Sequence, residues 1–271
     1  MENSKCFNYK NKNIHYRIFG KGMPVVLIHG FSEDGNIWNK LIEDLQKKYL
    51  LIVPDIPGSG KSEMLDGNSV PIEDYAEVIK TIIDSQLSKV SQMAEVGVIT
   101  LIGHSMGGYI ALAFAEKYPE LLNGLGLFHS SAFADDEEKK QTRYKAIDFI
   151  KANGCYAFLK TSIPNLFADK QHVQEMEALI EEGKKFRPEA LIQYYQAMIN
   201  RPDRTGVLKN FKKPVLFIIG EKDNAIPLQT SLQQCHLPEI SHVHILNTGH
   251  MGMVEESRLS LHMIESFLQN I

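Results

Sequence analysis

The sequence predicts an α/β fold, a mostly parallel sheet covered by helices, with a helical insertion late in the chain. Three observations carry this. Short apolar runs of the kind buried on both faces, such as Pro24–Ile28, Leu50–Val53 and Pro214–Ile219, alternate with segments whose apolar residues recur at helical spacing. The stretch Val96–Ala115 reads as strand, sharp turn and helix, with Ser105 at the apex of Gly103-His104-Ser105-Met106-Gly107. From Ala132 to Thr205 the alternation lapses and only helical periodicity remains.

With 271 residues, 44% of them hydrophobic, the chain can bury a substantial core. A net charge of −4 gives no electrostatic footprint for nucleic acid or an anionic membrane, so neither is expected as a partner. The first residues lack the apolar core of a signal peptide and no later run is long enough to cross a bilayer, which predicts a cytoplasmic location. Cys6, Cys155 and Cys235 form no C-x-x-C pair and read as free thiols. His242 and His244 share a strand face but lack a third ligand nearby, so no metal is expected.

Taken in order, Lys5–Tyr9 and Asn13–Phe19 flank a polar turn and predict an antiparallel hairpin at a sheet edge. The strand Pro24–Ile28 ends in His29-Gly30-Phe31-Ser32, a turn at the carboxyl end of a strand, where open α/β sheets place their sites. Trp38, Leu41, Ile42 and Leu45 then predict an amphipathic helix. Leu50–Val53 leads into Pro54-Asp55-Ile-Pro-Gly58-Ser-Gly60-Lys61-Ser62, whose ending suggests a phosphate-binding loop. That pattern would need glycine at 55 and a helix directly after Ser62, and the chain has aspartate and a loop. Ile72 to about Met93 predicts a long helix, and Leu121–Phe128 a strand ending at His129. After the insertion, Pro214–Ile219 runs into Gly220-Glu221-Lys222-Asp223, Pro227 opens a short helix, and His242–Leu246 turns off at Gly249-His250. Glu255–Leu268 predicts a closing helix.

A serine at the tip of a strand-to-helix turn stands clear of the sheet on a strained backbone, although Gly-x-Ser-x-Gly alone also fits an ordinary Gly-rich connection. The N–H of Met106, at the helix start, is suited to negative charge, and that of Phe31 is the candidate second oxyanion donor. A serine hydroxyl needs an imidazole to take its proton, and the imidazole needs a carboxylate to fix its tautomer. Ser105, Asp223 and His250 supply these types at three strand ends in the order expected of such an arrangement. Asp135 and Asp136 compete for the acid's place. His104 is expected to pack beneath the turn, and Asp34 and Asp55 to brace loops. His129, with Phe158, Leu159 and Phe167 of the insertion, is a candidate substrate-facing residue.

Together, His29-Gly-Phe31, the Asp55–Ser62 loop, Gly103-His-Ser105-Met-Gly-Gly108, Gly220-Glu-Lys-Asp223 and Gly249-His250 resemble the α/β-hydrolase superfamily, in its serine-esterase form with a helical cap. The resemblance implies an eight-stranded, mostly parallel sheet flanked by helices, its second strand antiparallel, with a lid between strands six and seven. Residues 1–131 and 206–271 would form the core and 132–205 the lid. It further implies a cofactor-free serine hydrolase that cleaves carboxylic esters of small to medium apolar substrates through an acyl-enzyme. Serine at the apex argues against epoxide hydrolases and haloalkane dehalogenases, which use aspartate there. The same triad suits carbon–carbon hydrolysis of ring-cleavage products, enol-lactones and thioesters, and some members of the fold are small-molecule receptors. The apolar, aromatic lid favours an acyl group or ring with little charge.

Overall fold

The computed structural model describes residues 4–90 and 99–271. Eight strands, β1 (Ser4–Tyr9), β2 (Lys12–Phe19), β3 (Met23–Ile28), β4 (Tyr49–Pro54), β5 (Ile99–His104), β6 (Leu122–Phe128), β7 (Val215–Gly220) and β8 (Ser241–Leu246), form one sheet in the order β1-β2-β4-β3-β5-β6-β7-β8 among the described residues. β2 runs antiparallel to both its neighbours, β1 and β4, and the other described pairs are parallel. Lys10 and Asn11 both take positive φ, 48° and 64°, as a two-residue hairpin turn requires. The interior strands β5 and β7 are buried at every position, the consequence of helices on both faces, whereas the edge strand β8 leaves Val243 and Ile245 exposed.

The helices are α1 (Asn39–Leu45), α2 (Ile72–Val90), α3 (Met106–Lys117), α4 (Glu137–Ser162), α5 (Val173–Glu182), α6 (Pro188–Asn200), α7 (Thr205–Asn210), α8 (Leu228–Gln234), α9 (Gly252–Glu255) and α10 (Ser257–Leu268). α1 packs against α10, and α2 against α3. The predicted helix after β3 opens as a tight turn at Gly35–Trp38, because the Asp34 carboxylate accepts the N–H of Asn36 at 2.8 Å. The predicted closing helix is two helices, broken at Glu256 (φ −132°, ψ 58°). Residues 91–93 of the predicted long helix and 96–98 of the predicted strand lie outside the described residues.

Two glycines let α3 sit directly on the sheet. A Cβ at Gly103 would overlap the carbonyl of Gly107, and one at Gly107 would overlap the carbonyl of Ile28. The elbow is therefore pressed between β3 and β5 with no room for a side chain on either partner.

Between β6 and β7 the chain forms α4 to α7, with α4 packed on α6 and interrupted at Gly154 (φ 81°). α6 is seated on the core by buried polar contacts. The Tyr194 hydroxyl donates to the carbonyl of Pro57 (2.7 Å), and the Gln193 amide donates to those of Leu65 (3.1 Å) and Gly67 (2.8 Å) while accepting from Tyr75 (3.1 Å). Every polar atom of that glutamine is thereby used, which is what a buried amide requires.

Candidate active site

Ser105 caps α3 with φ 50° and ψ −116°, outside the regions L-residues ordinarily adopt. Its N–H donates to the carbonyl of Phe128 (3.0 Å), and its carbonyl accepts from the Ser130 hydroxyl (2.7 Å), so strands and loop on both sides fix the strained turn. Met106 is the first residue of α3, and the first N–H groups of a helix have no intrahelical acceptor. Ser105 and Phe31 line one cavity of about 810 Å³, together with His250.

Asp223 lies just past β7. One carboxylate oxygen accepts the N–H groups of Ala225 (2.8 Å) and Ile226 (2.9 Å), which leaves the other aimed at His250, whose Nδ1 stands 2.7 Å away. Burial works against charge on Asp223, but the attraction of His250 and His129 and the hydrogen bond from His250 outweigh it and hold the carboxyl well below its usual range. An ionised carboxylate only accepts, so Nδ1 of His250 carries the proton and Nε2 of the neutral ring is left with its lone pair. The His250 N–H donates to the carbonyl of Leu166 (2.6 Å), pinning this loop under the insertion.

His104 packs beneath the elbow, fully buried, and does more than fill space. Its Nδ1 lies 3.0 Å from the Glu33 carboxylate and its Nε2 2.9 Å from the carbonyl of His250. Both ring nitrogens face acceptors, which suits an imidazolium. Burial opposes that charge, but Glu33 and the His250 carbonyl raise the His104 pKa, and His104 in turn lowers that of buried Glu33. Glu33 also accepts the Gly30 N–H at 2.7 Å and so shapes the turn that presents Phe31. Nothing in the local sequence marks Glu33. It is 71 residues from its partner, and only the fold joins them.

The competing acids have other work. Asp135 is bound to Arg143 and Arg201, and Asp136 caps α4 by accepting the N–H of Lys139 at 2.8 Å. Asp55 braces its loop through the N–H groups of Gly35 and Lys61, both at 3.0 Å.

Of the four predicted substrate-facing residues, Phe158 lines the cavity and three do not. His129 is buried behind Asp223, because its positive φ of 47° turns the ring inward. Its Nε2 accepts the N–H of Gly252 (3.2 Å) and its Nδ1 lies 3.4 Å from Asp223. Leu159 faces the interior of the insertion against Gly183, and Phe167 is buried against His172, with its neighbour Leu166 taking the place in the wall. The lining Phe158 and Tyr195 rings surround Phe31, with the Phe31 and Tyr195 centroids 4.4 Å apart.

Asp135, Lys139, Arg143 and Arg201 line the same cavity, a charged wall that the aromatic residues of the insertion do not foreshadow. A second cavity of about 360 Å³, bounded by Asp34, Ile37, Leu179 and Phe186, shares only Glu33 with the first and touches none of Ser105, Asp223 or His250. Nitrogens of His129 and His250 and an oxygen of Asp223 also lie within 4.8 Å of one another, but 2.7 Å between His250 and Asp223 is hydrogen-bond spacing.

Residues 23–144 match the family model of the α/β-hydrolase fold. The chain is 26% identical over 260 residues to a pimeloyl-[acyl-carrier protein] methyl ester esterase of Legionella pneumophila (strain Corby), covering 95% of this chain and 100% of that one. It is 25% identical to a 2-hydroxy-6-oxo-2,4-heptadienoate hydrolase of Pseudomonas putida, covering 92% and 90%. Among solved structures it superposes on a malate-bound thermophilic esterase from Thermogutta terrifontis with TM-score 0.89 at 26% identity, covering 98% of each chain. The enol-lactonase from Burkholderia xenovorans LB400, at 19% identity and TM-score 0.87, shares the fold. With the sheet order, the elbow and these likenesses together, the chain has the α/β-hydrolase fold and is a hydrolase.

Proposed function

We propose that the protein hydrolyses carboxylic esters through an acyl-enzyme on Ser105. The observation that carries this reading is the 2.7 Å pair of His250 and Asp223, with His250 and the strained Ser105 opening into one cavity. His250 Nε2 takes the Ser105 proton as the hydroxyl attacks the ester carbonyl, and Asp223 stabilises the imidazolium that forms. The N–H groups of Phe31 and Met106 receive the developing oxyanion. His250 then protonates the departing alcohol, activates a water against the acyl-enzyme, and Ser105 is released with the acid. Residues 132–205 act as the cap over this site and 1–131 with 206–271 as its core. Thioesters, enol-lactones and activated carbon–carbon bonds can use the same groups. Ester hydrolysis is preferred because an esterase stands among the relatives and among the neighbouring structures at 26% identity.

The test is a panel of 4-nitrophenyl esters of increasing acyl length beside a ring-cleavage diketone. Ester turnover is expected, with a loss on the order of 10⁴-fold in kcat for Ser105→Ala and stoichiometric labelling of Ser105 by a fluorophosphonate. Unchanged turnover in Ser105→Ala would refute the assignment.

A further inference from the structure

We infer that the natural ester carries a carboxylate, held by Arg143 on the charged wall of the cavity. The inference rests on the ester-hydrolase reading above and names its substrate class.

Arg143, on α4, and Arg201, just past α6, converge on one acid. Arg143 Nε lies 2.5 Å and Arg201 Nη2 2.9 Å from the two oxygens of Asp135, which is completely buried. Two guanidinium groups share one carboxylate, so one positive charge is left over. Arg201 is the more heavily engaged of the two: Nη1 donates to the carbonyl of Met198 (2.7 Å), Nη2 to that of Phe133 (3.0 Å), and its Cζ lies 3.9 Å from the centroid of the Tyr109 ring. Arg143 also sets Nη2 3.4 Å from Asp135, and its Nη1 is the donor with capacity to spare. Its side chain keeps 12% of its surface exposed, and it lines the cavity.

Nearby charge points the same way. Lys139 lies one turn before Arg143 on α4, also lines the cavity, and rests its Nζ on the carbonyl of Ala225 (3.0 Å). Of the other acids in the wall, Glu33 is paired with His104, and Asp136 and Glu138 are exposed, where water and salt screen their charge. Burial would raise the Tyr109 phenol, yet Arg201, Lys139 and Arg143 together pull it below its ordinary value, as a positive potential in this wall demands. A surplus cation in a partly dry wall is costly until an anion reaches it, and the planar edge of arginine matches a carboxylate in two parallel hydrogen bonds.

The wall is also placed to serve Ser105. Tyr109 is four residues beyond Ser105 on α3, with Arg201 over its ring. The Tyr195 ring joins the Arg143 guanidinium, 5.7 Å from its centroid, to Phe31, 4.4 Å away. A carbonyl at Ser105 thus leaves the remainder of a short substrate facing Arg143.

The experiment compares isosteric neutral and anionic esters on the whole chain. The acyl-side arm sets mono-4-nitrophenyl succinate, glutarate and adipate against 4-nitrophenyl butyrate, valerate and hexanoate. The alcohol-side arm sets 4-acetoxybenzoate against 4-acetoxytoluene. The protein is expected to favour the anionic member of at least one arm by tenfold or more in kcat/KM, and the favoured arm identifies which side of the ester bears the charge. Arg143→Leu is expected to lower that selectivity ratio about 10–100-fold, with Arg143→Lys retaining part of it. Because Arg143→Leu also loosens Asp135, competition by glutarate against glutaramide is measured on the unaltered protein, and only glutarate is expected to compete. Equal or better turnover of the neutral esters in both arms, or no competition by glutarate, overturns the inference. If no ester of either kind reacts, the hydrolytic reading fails by itself, and titration calorimetry of glutarate with the same protein still decides the anion site.

Discussion

His129 shows how one residue in an unusual backbone position can support a neighbour without touching substrate. Its Nε2 accepts a backbone N–H, so the neutral ring carries its proton on Nδ1, directed at Asp223 across 3.4 Å, an electrostatic contact longer than a hydrogen bond. Complete burial lowers its pKa to about 4, against the favourable pull of Asp223. The unfolded chain would bind this proton near pH 6.5, so between about pH 6.5 and pH 4 the unfolded state holds more protons than the native one. The stability His129 contributes is therefore complete above pH 6.5 and is lost as the pH falls toward 4, by on the order of 3 kcal/mol. Urea denaturation from pH 7 to pH 4 is expected to show this slope. His129→Gln, which can accept from Gly252 without titrating, is expected to flatten it, and an equally steep slope in the variant would assign the acid sensitivity elsewhere. His129 was legible in the sequence as a residue ending a strand beside the pocket. The sign of its φ, which decides whether it faces substrate or the back of Asp223, was not.

At the scale of elements, the site is assembled from strand ends, and that is why so much of it could be read in advance. Ser105, Asp223 and His250 each follow an apolar run and a glycine, a local signal that survives without knowledge of the fold. What joins those ends is not local. Glu33, His104 and the His250 carbonyl form a buried chain from the β3 loop through β5 to the β8 loop. No spacing rule predicts a partner 71 residues away, and a loop glutamate is ordinarily a solvated one. Raising His104 and lowering Glu33 favours their charged forms, so this pair is present between the two titrations and fails at both extremes: as pH falls through the Glu33 pKa and as it rises through that of His104. Glu33→Gln leaves a buried imidazolium without its counter-charge and is expected to cost about 3–5 kcal/mol in urea denaturation at neutral pH. A loss below about 1 kcal/mol would show that the pair is neutral in the folded protein.

For the whole molecule, the question is whether the insertion and the sheet form one cooperative unit. Helical periodicity was enough to predict helices between β6 and β7, but it could not say which faces look into the cavity, because these helices pack on one another as well as on the core, and Gly154 reorients α4 midway. The structure seats the insertion through Gln193, whose amide satisfies the carbonyls of Leu65 and Gly67 and the hydroxyl of Tyr75, and through Arg204, which binds both Glu73 of α2 and Glu116 of α3. Buried polar groups of this kind stabilise modestly when all partners are present and cost heavily when one is removed, since each orphaned group forfeits about 1–3 kcal/mol. Calorimetry is accordingly expected to give a single transition with equal van't Hoff and calorimetric enthalpies. Gln193→Leu should lower its midpoint by roughly 5–10 °C, because two carbonyls and a phenol lose their partner at once. A separate low-temperature transition in the unaltered protein, with cleavage by a protease confined to residues 132–205, would instead make the insertion an independently melting layer. The ordered wall that carries Arg143 would then be lost at that lower transition, while the sheet stayed folded.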